Sequence, residues 1–148
     1  MKLSMKISIK NYEKKYCIRY KYNFSAALFP KSISRQAFNK AYDNFQIIYS
    51  EQTWSELLEV VNRPKFDKYV SHRERLYFIE GFRKKAIFIK PTETITDCRD
   101  PKDNKFLEIA VASNAPFIIT GDDDLLVLNP YRGINILKSG DFLALELV

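Results

Sequence analysis

Histidine is nearly absent, cysteine is scarce, and long apolar runs are missing: the 148 residues include one His, His72, and two Cys. Cys17 and Cys98 stand far apart and form no CxxC pair, so a cysteine metal site or a disulfide is not expected. No apolar stretch approaches the roughly 20 residues that span a bilayer, which removes the membrane from the expected partners. The basic N-terminus lacks the continuous apolar core of a signal peptide, and with no targeting segment visible the expected compartment is the cytoplasm. Neither internal repeats nor low-complexity tracts occur.

What is present has the composition of a soluble globular domain, 46% hydrophobic and 28% charged. The length suits one domain, able to bury roughly two thirds of its unfolded surface. A net charge of +6 invites a nucleic-acid reading, but its distribution removes that argument. Residues 1–24 hold seven Lys/Arg against one Glu and carry all of the excess, whereas residues 25–148 hold 17 of each sign. The basicity belongs to the N-terminal segment and defines no RNA-binding face.

From residue 25 onward, strand and helix patterns alternate. Ala37, Phe38, Ala41 and Phe45 recur at helical spacing behind Ser32 and Ser34, either of which suits a cap. Gln46 to Tyr49 reads as a strand. Ser50 opens a second helix with Trp54, Leu57, Leu58 and Val61 on its apolar face, ended by Arg63-Pro64. Ser71 and Glu74 form a capping box for a third helix through Lys85. Ile87 to Ile89 reads as a strand, Pro91 to Pro101 as a polar loop, and Asp103 to Ser113 as a helix. Phe117 to Thr120, an acidic loop, the strand Gly133 to Leu137 and a short helix opened by Ser139 complete the chain. Such alternation predicts a parallel sheet with helices on both faces. Residues 1–24 mix Lys and Tyr without a clean period and lack an apolar opening strand, although Lys15 to Tyr22 alternates weakly.

The acidic residues carry the chemistry. Phe117 to Thr120 is an apolar run that empties into Gly121-Asp122-Asp123-Asp124, which places carboxylates at the carboxyl end of a buried strand. Open α/β sheets bind ligands at that edge. Adjacent carboxylates repel one another, and Asp103 adds a further acid. A hard divalent cation with oxygen ligands would relieve the repulsion. A solvated acidic turn is the competing reading of the GDDD run alone.

Four strings, in this order, resemble the PIN-domain family, in particular its toxin components of toxin–antitoxin systems: Ser25 to Pro30 (SAALFP), Ser50 to Phe66 (SEQTWSELLEVVNRPKF), Cys98 to Ser113 (CRDPKDNKFLEIAVAS) and Phe117 to Leu128 (FIITGDDDLLVL). The ending GINILKSGDFL is also similar. The resemblance implies a three-layer α/β/α sandwich around a parallel, Rossmann-like sheet of about 4–5 strands, over residues 25–148. It implies a metal-dependent endoribonuclease using Mg²⁺ or Mn²⁺, with RNA as substrate, a cognate antitoxin protein as partner, and a homodimer. Glu56, Asp103, Asp122 and Asp124 match the family's catalytic and metal-binding acids. Other readings stand beside these: Glu56 completing a Thr53–Glu56 capping box or lying on an exposed helix face, and Asp100 and Asp103 favouring a helix dipole. Asp123 and His72 are expected to face solvent, Trp54 and Phe106 to sit in the core. Thr120 and Asn104 either orient the metal shell or only cap. Arg63, Lys65, Arg99, Lys102 and Lys105 are candidate phosphate contacts.

The family opens with a strand ending in Asp-Thr-Asn, whose Asp is a central ligand. Counting back from Ser25, Arg19 takes its place, followed by Tyr20 and Lys21. A guanidinium there opposes a divalent cation, so the activity of the chain as written is expected to be impaired. The abrupt onset of agreement at Ser25 fits a reading-frame slip. Codons allowed for Ile18 to Asn23, ATA CGA TAC AAA TAC AAT, read Tyr-Asp-Thr-Asn-Thr-Ile one base later. Those allowed for Asn11 to Cys17 then give a start methionine and an apolar strand. Residues 1–24 are therefore expected to be non-homologous and frame-shifted, with the first strand of the sheet degraded. The alternative function is an inactive remnant that binds only an antitoxin or a second copy. A phosphatase-like metal hydrolase ranks lower, because neither frame supplies an early DxD nucleophile.

Overall fold

The structure is a computed structural model that describes residues 6–7, 15–18 and 29–147, the first two segments and residue 147 by backbone alone. Arg19 and residues 25–28 of the first resemblance string lie outside the described residues.

Helix ends follow their capping chemistry. Ser32, rather than Ser34, caps α1 (Ile33–Asn44), its hydroxyl accepting from the Arg35 amide at 3.1 Å. Ser50 and Thr53 cap α2 (Glu51–Val61) reciprocally, the Ser50 amide donating to Thr53 Oγ1 at 2.8 Å. Thr53 is thus the second partner of that box, and the Thr53–Glu56 box does not form. Ser71 and Glu74 close the expected capping box of α3 (His72–Lys85), whose last turn carries Arg83, Lys84 and Lys85 toward the negative end of the dipole.

Five strands form one parallel sheet: β2 (Lys15–Ile18), β3 (Gln46–Tyr49), β4 (Ile87–Phe88), β5 (Phe117–Ile119) and β6 (Asn135–Leu137), in the order β4-β3-β2-β5-β6. The weakly alternating N-terminal segment therefore supplies a strand after all. Its backbone pairs Cys17 with both Ile48 and Ile118, at the centre of the sheet. The chain runs outward from β2 through β3 to β4, then returns to lay β5 and β6 on the other side. The order thus reverses between β2 and β5, the place where open α/β sheets leave a crevice at their carboxyl ends. Apart from it, β1 (Lys6–Ile7) pairs in parallel with β7 (Glu146–Leu147), an element the sequence pattern did not indicate.

Alternation along the inner strands divides the core in two. On one face Ile47, Phe117 and Ile119 pack with Ala37, Phe38, Leu57, Val60 and Phe82 of α1, α2 and α3, and with Phe142 of α6 (Ser139–Leu143). On the other, Ile48, Ile118 and Ile136 meet Phe106, Leu107, Ile109 and Ala110 of α4 (Asn104–Ser113), and Leu125 of α5 (Asp123–Leu126). Ile47 and Ile118 are fully buried, as is Leu107, and each such side chain contributes about 1.5–3 kcal/mol. Phe106 is core as expected, whereas Trp54 is only partly buried, packed against the first cluster.

Residues 91–100 depart from the expected polar loop. Ile95 and Cys98 are buried in the second cluster, and the segment is pinned along its length. The Tyr131 hydroxyl donates to Asp97, Arg132 pairs with Glu93, and the Ile95 amide donates to Glu108 at 3.3 Å. The acidic loop after β5 likewise holds a short helix, α5, rather than open coil.

Candidate metal centre at the carboxyl edge of the sheet

The backbone after β5 decides where each acid points. The Thr120 amide bonds the Leu137 carbonyl at 2.9 Å, carrying the β5–β6 ladder one residue past the strand. Thr120, 1% exposed, then accepts the Asp122 amide on its hydroxyl at 3.0 Å. Asp122 in turn accepts the Asp124 amide at 2.9 Å and so caps α5. Three consecutive carboxylates therefore diverge. Asp122 is buried against the turn it caps, Asp123 faces solvent as expected, and Asp124 is half-buried.

A second acidic turn meets Asp124 from the start of α4. Asp100 caps the single 3₁₀ turn Pro101–Asp103 by accepting the Lys102 amide at 3.1 Å, with Pro101 at the position where a missing N–H costs nothing. That turn feeds directly into α4 and buries Asp103 completely. One carboxylate oxygen each from Asp100, Asp103 and Asp124 lies within 4.8 Å of the others. An octahedral Mg²⁺ holds opposite ligands about 4 Å apart, so small side-chain rotations bring this all-oxygen set to a hard cation. The residues fit the group that the acids imply.

Of the four expected site residues, the structure brings Asp103 and Asp124 together and adds Asp100. Glu56 and Asp122 stand outside that group of three. Glu56 pairs with Lys105 of α4, Oε2 to Nζ 3.5 Å, with both side chains 18% exposed. Asp100 was read from sequence as a dipole partner. Its signal was the D-P-K-D spacing, in which a proline-started 3₁₀ turn sets the two acids three residues apart on one side.

Cations already touch this edge. Arg99 Nε lies 3.0 Å from Asp124 Oδ1. Lys102 is exposed and has no ion pair among the described residues, whereas Arg63 reaches Glu59 at 3.8 Å on the exposed side of α2. Lys65 lies over the Phe66 ring, and His72 is exposed in the first turn of α3. Asn104 has a structural partner in the segment before the acidic turn. Its Oδ1 accepts the Cys98 amide at 2.9 Å, which fixes residues 91–100 beside the site. Tyr131 anchors the same segment, its phenol pushed up to about 12, by burial first and then by the hydrogen bond to Asp97.

The sequence profile of the PIN domain family matches residues 23–124. An uncharacterized protein of Methanocaldococcus jannaschii is 41% identical over 76 residues, 49% of this chain and 48% of that protein. The chain thus spans about half the length of this curated relative. No solved structure matches it. The family match covers more than half of the chain and both acidic turns, and it suggests a nuclease. The chain belongs to the PIN domain family.

Proposed function

We propose that this chain descends from a metal-dependent endoribonuclease, the toxin of a toxin–antitoxin pair, working at the carboxyl edge of a three-layer sandwich. The observation that carries the reading is the convergence of Asp100, Asp103 and Asp124 within 4.8 Å at the edge where the strand order reverses. These three carboxylates would hold Mg²⁺ or Mn²⁺. A bound divalent ion supplies a water of lowered pKa and neutralises charge on a phosphate. The chain's own groups arrange the ligands: Thr120 fixes Asp122, Asp122 caps the helix that presents Asp124, and Asp100 caps the turn that buries Asp103. Glu56 and Asp122, the other two family acids, are occupied by Lys105 and by that cap. The site domain is residues 25–148. A cognate antitoxin, a homodimer and a cytoplasmic setting belong to the same proposal.

A second reading rests on Arg19, which stands in sequence directly after β2, the other strand bordering the switch point. In that reading the chain as written is an inactive remnant, binding an antitoxin or a second copy, produced by a base lost upstream of Ser25. The family match that begins at residue 23 supports a break in ancestry near that point. Incubating the full chain with single-stranded RNA and Mg²⁺ or Mn²⁺ tests both readings. Cleavage that is lost on chelation and in Asp103→Asn supports the ribonuclease; a folded, silent protein supports the remnant.

A further inference from the structure

We infer that Lys105 is a phosphate-positioning residue whose resting partner, Glu56, is displaced by the RNA strand. The inference rests on the ribonuclease reading above and names how the same site would take its substrate. Glu56 and Lys105 come from different helices, α2 and α4, and meet in a polar groove of about 700 Å³ that Lys102, Arg63, Glu51 and Glu59 also line, Arg63 being paired with Glu59. Lys102, in the 3₁₀ turn, and Lys105, in the first turn of α4, lie three residues apart on either side of Asp103 in the chain. Among the described residues Lys102 is exposed without an ion pair and Lys105 has Glu56 as its ion-pair partner, its ammonium 5.7 Å from the Phe106 ring.

The contact is loose. At 3.5 Å it is longer than the roughly 2.7–2.9 Å of a charge-assisted hydrogen bond, so Coulomb attraction holds it without tight geometry. A part-exposed pair without a tight hydrogen bond is weak enough to exchange when a better anion arrives. A phosphodiester between Lys102 and Lys105 gains two cations where Glu56 has one. Glu56 therefore competes with RNA for Lys105, and substrate binding releases its carboxylate.

The test measures binding of a short, uncleavable 2′-O-methyl RNA to the full chain by fluorescence anisotropy, in EDTA and across a salt series. Losing one phosphate contact in Lys105→Met should weaken binding roughly 3–10-fold and lower the salt slope by about one. Relief of competition in Glu56→Gln should tighten binding about 1.5–5-fold, the range expected of one weak ion pair. The double variant should bind like Lys105→Met, and Lys105→Arg should bind like the wild type. Circular dichroism checks that each variant folds. The inference is overturned if Glu56→Gln binds no tighter, if Lys105→Met binds as well as the wild type, or if the wild-type chain does not bind. The binding pattern in a chain that cleaves nothing would uphold the exchange and remove the ribonuclease; cleavage without the pattern would do the reverse.

Discussion

Arg99 holds the Asp124 carboxylate at 3.0 Å, so one of the three clustered acids already carries a cation from its own chain. The guanidinium side chain is 62% exposed, and such pairs contribute little to stability. Its effect is on the ion the cluster would bind, because a resident positive charge competes with an incoming one. Arg99→Gln should tighten Mn²⁺ binding about 2–5-fold, while unfolding free energy changes by less than about 0.5 kcal/mol. Isothermal titration and urea unfolding measure the two. Weaker Mn²⁺ binding in the variant would make Arg99 a support of the site rather than a competitor.

Tyr131→Phe should loosen residues 91–100, since it removes the hydrogen bond to Asp97 and leaves that carboxylate without its phenol donor. The loss should be about 1–2 kcal/mol. The variant also has a pH signature. The Tyr131 phenol is raised from 10.0 to about 12, so its contribution is fully present below pH 10 and fades as pH rises through about 12. Between these limits the wild-type chain should lose stability more steeply than the variant. Parallel alkaline slopes would show that the phenol is not held in this way.

Arg75 is 3% exposed and closes the junction of α2 and α3. Its guanidinium donates to the Val70 carbonyl at 3.1 and 2.9 Å, to the Val61 carbonyl at 3.4 Å and to Asp67 at 2.8 Å. Arg75→Met strands two buried carbonyls and should cost about 2–4 kcal/mol. Thermal melting should fall by roughly 5–15 °C. Arg75→Lys should recover little, because a point ammonium does not reproduce the planar fork. A melting point unchanged in both would contradict the arrangement.

Resequencing the locus across the codons for Asn11 to Ser25 tests the proposed origin of the N-terminal segment. An additional T before Ser25 would restore Asp-Thr-Asn after the first strand. The restored chain should then cleave RNA at least about 10-fold faster than the chain with Arg19, since a ligand replaces a repelling charge. An unaltered DNA sequence removes the frame-slip proposal and leaves Arg19 as the true residue.

Local chemistry was legible in the sequence where it acts over a few residues. Ser32, Ser50 and the Ser71–Glu74 box set helix starts through their own turn, and the apolar run at Phe117 marked a strand buried on both faces. Of the acids after β5, Asp124 was legible as a candidate ligand because the strand ends at the sheet's edge, whereas nothing in the run showed that Asp122 caps the next helix. Long-range partners were not legible. Nothing within α2 tells that Glu56 meets Lys105 of α4, and nothing within α3 tells that Arg75 turns inward to the Val61 carbonyl. Ile95 and Cys98 sit among polar neighbours that gave no period, yet the anchors at Asp97 and Glu93 press that segment onto the second core. Asp100 joined the cluster because a 3₁₀ turn, which local patterns rarely reveal, places it beside Asp103.

The most direct measurement is Mn²⁺ binding to the full chain, followed by electron paramagnetic resonance, with Asp103→Asn, Asp124→Asn and Glu56→Gln alongside the wild type. The account expects the wild type to bind, Asp103→Asn and Asp124→Asn each to lose about 10-fold or more in affinity, and Glu56→Gln to stay within about 2-fold. Binding that survives the loss of Asp103 and Asp124, or a wild-type chain that binds no Mn²⁺, would contradict a metal centre built on Asp100, Asp103 and Asp124.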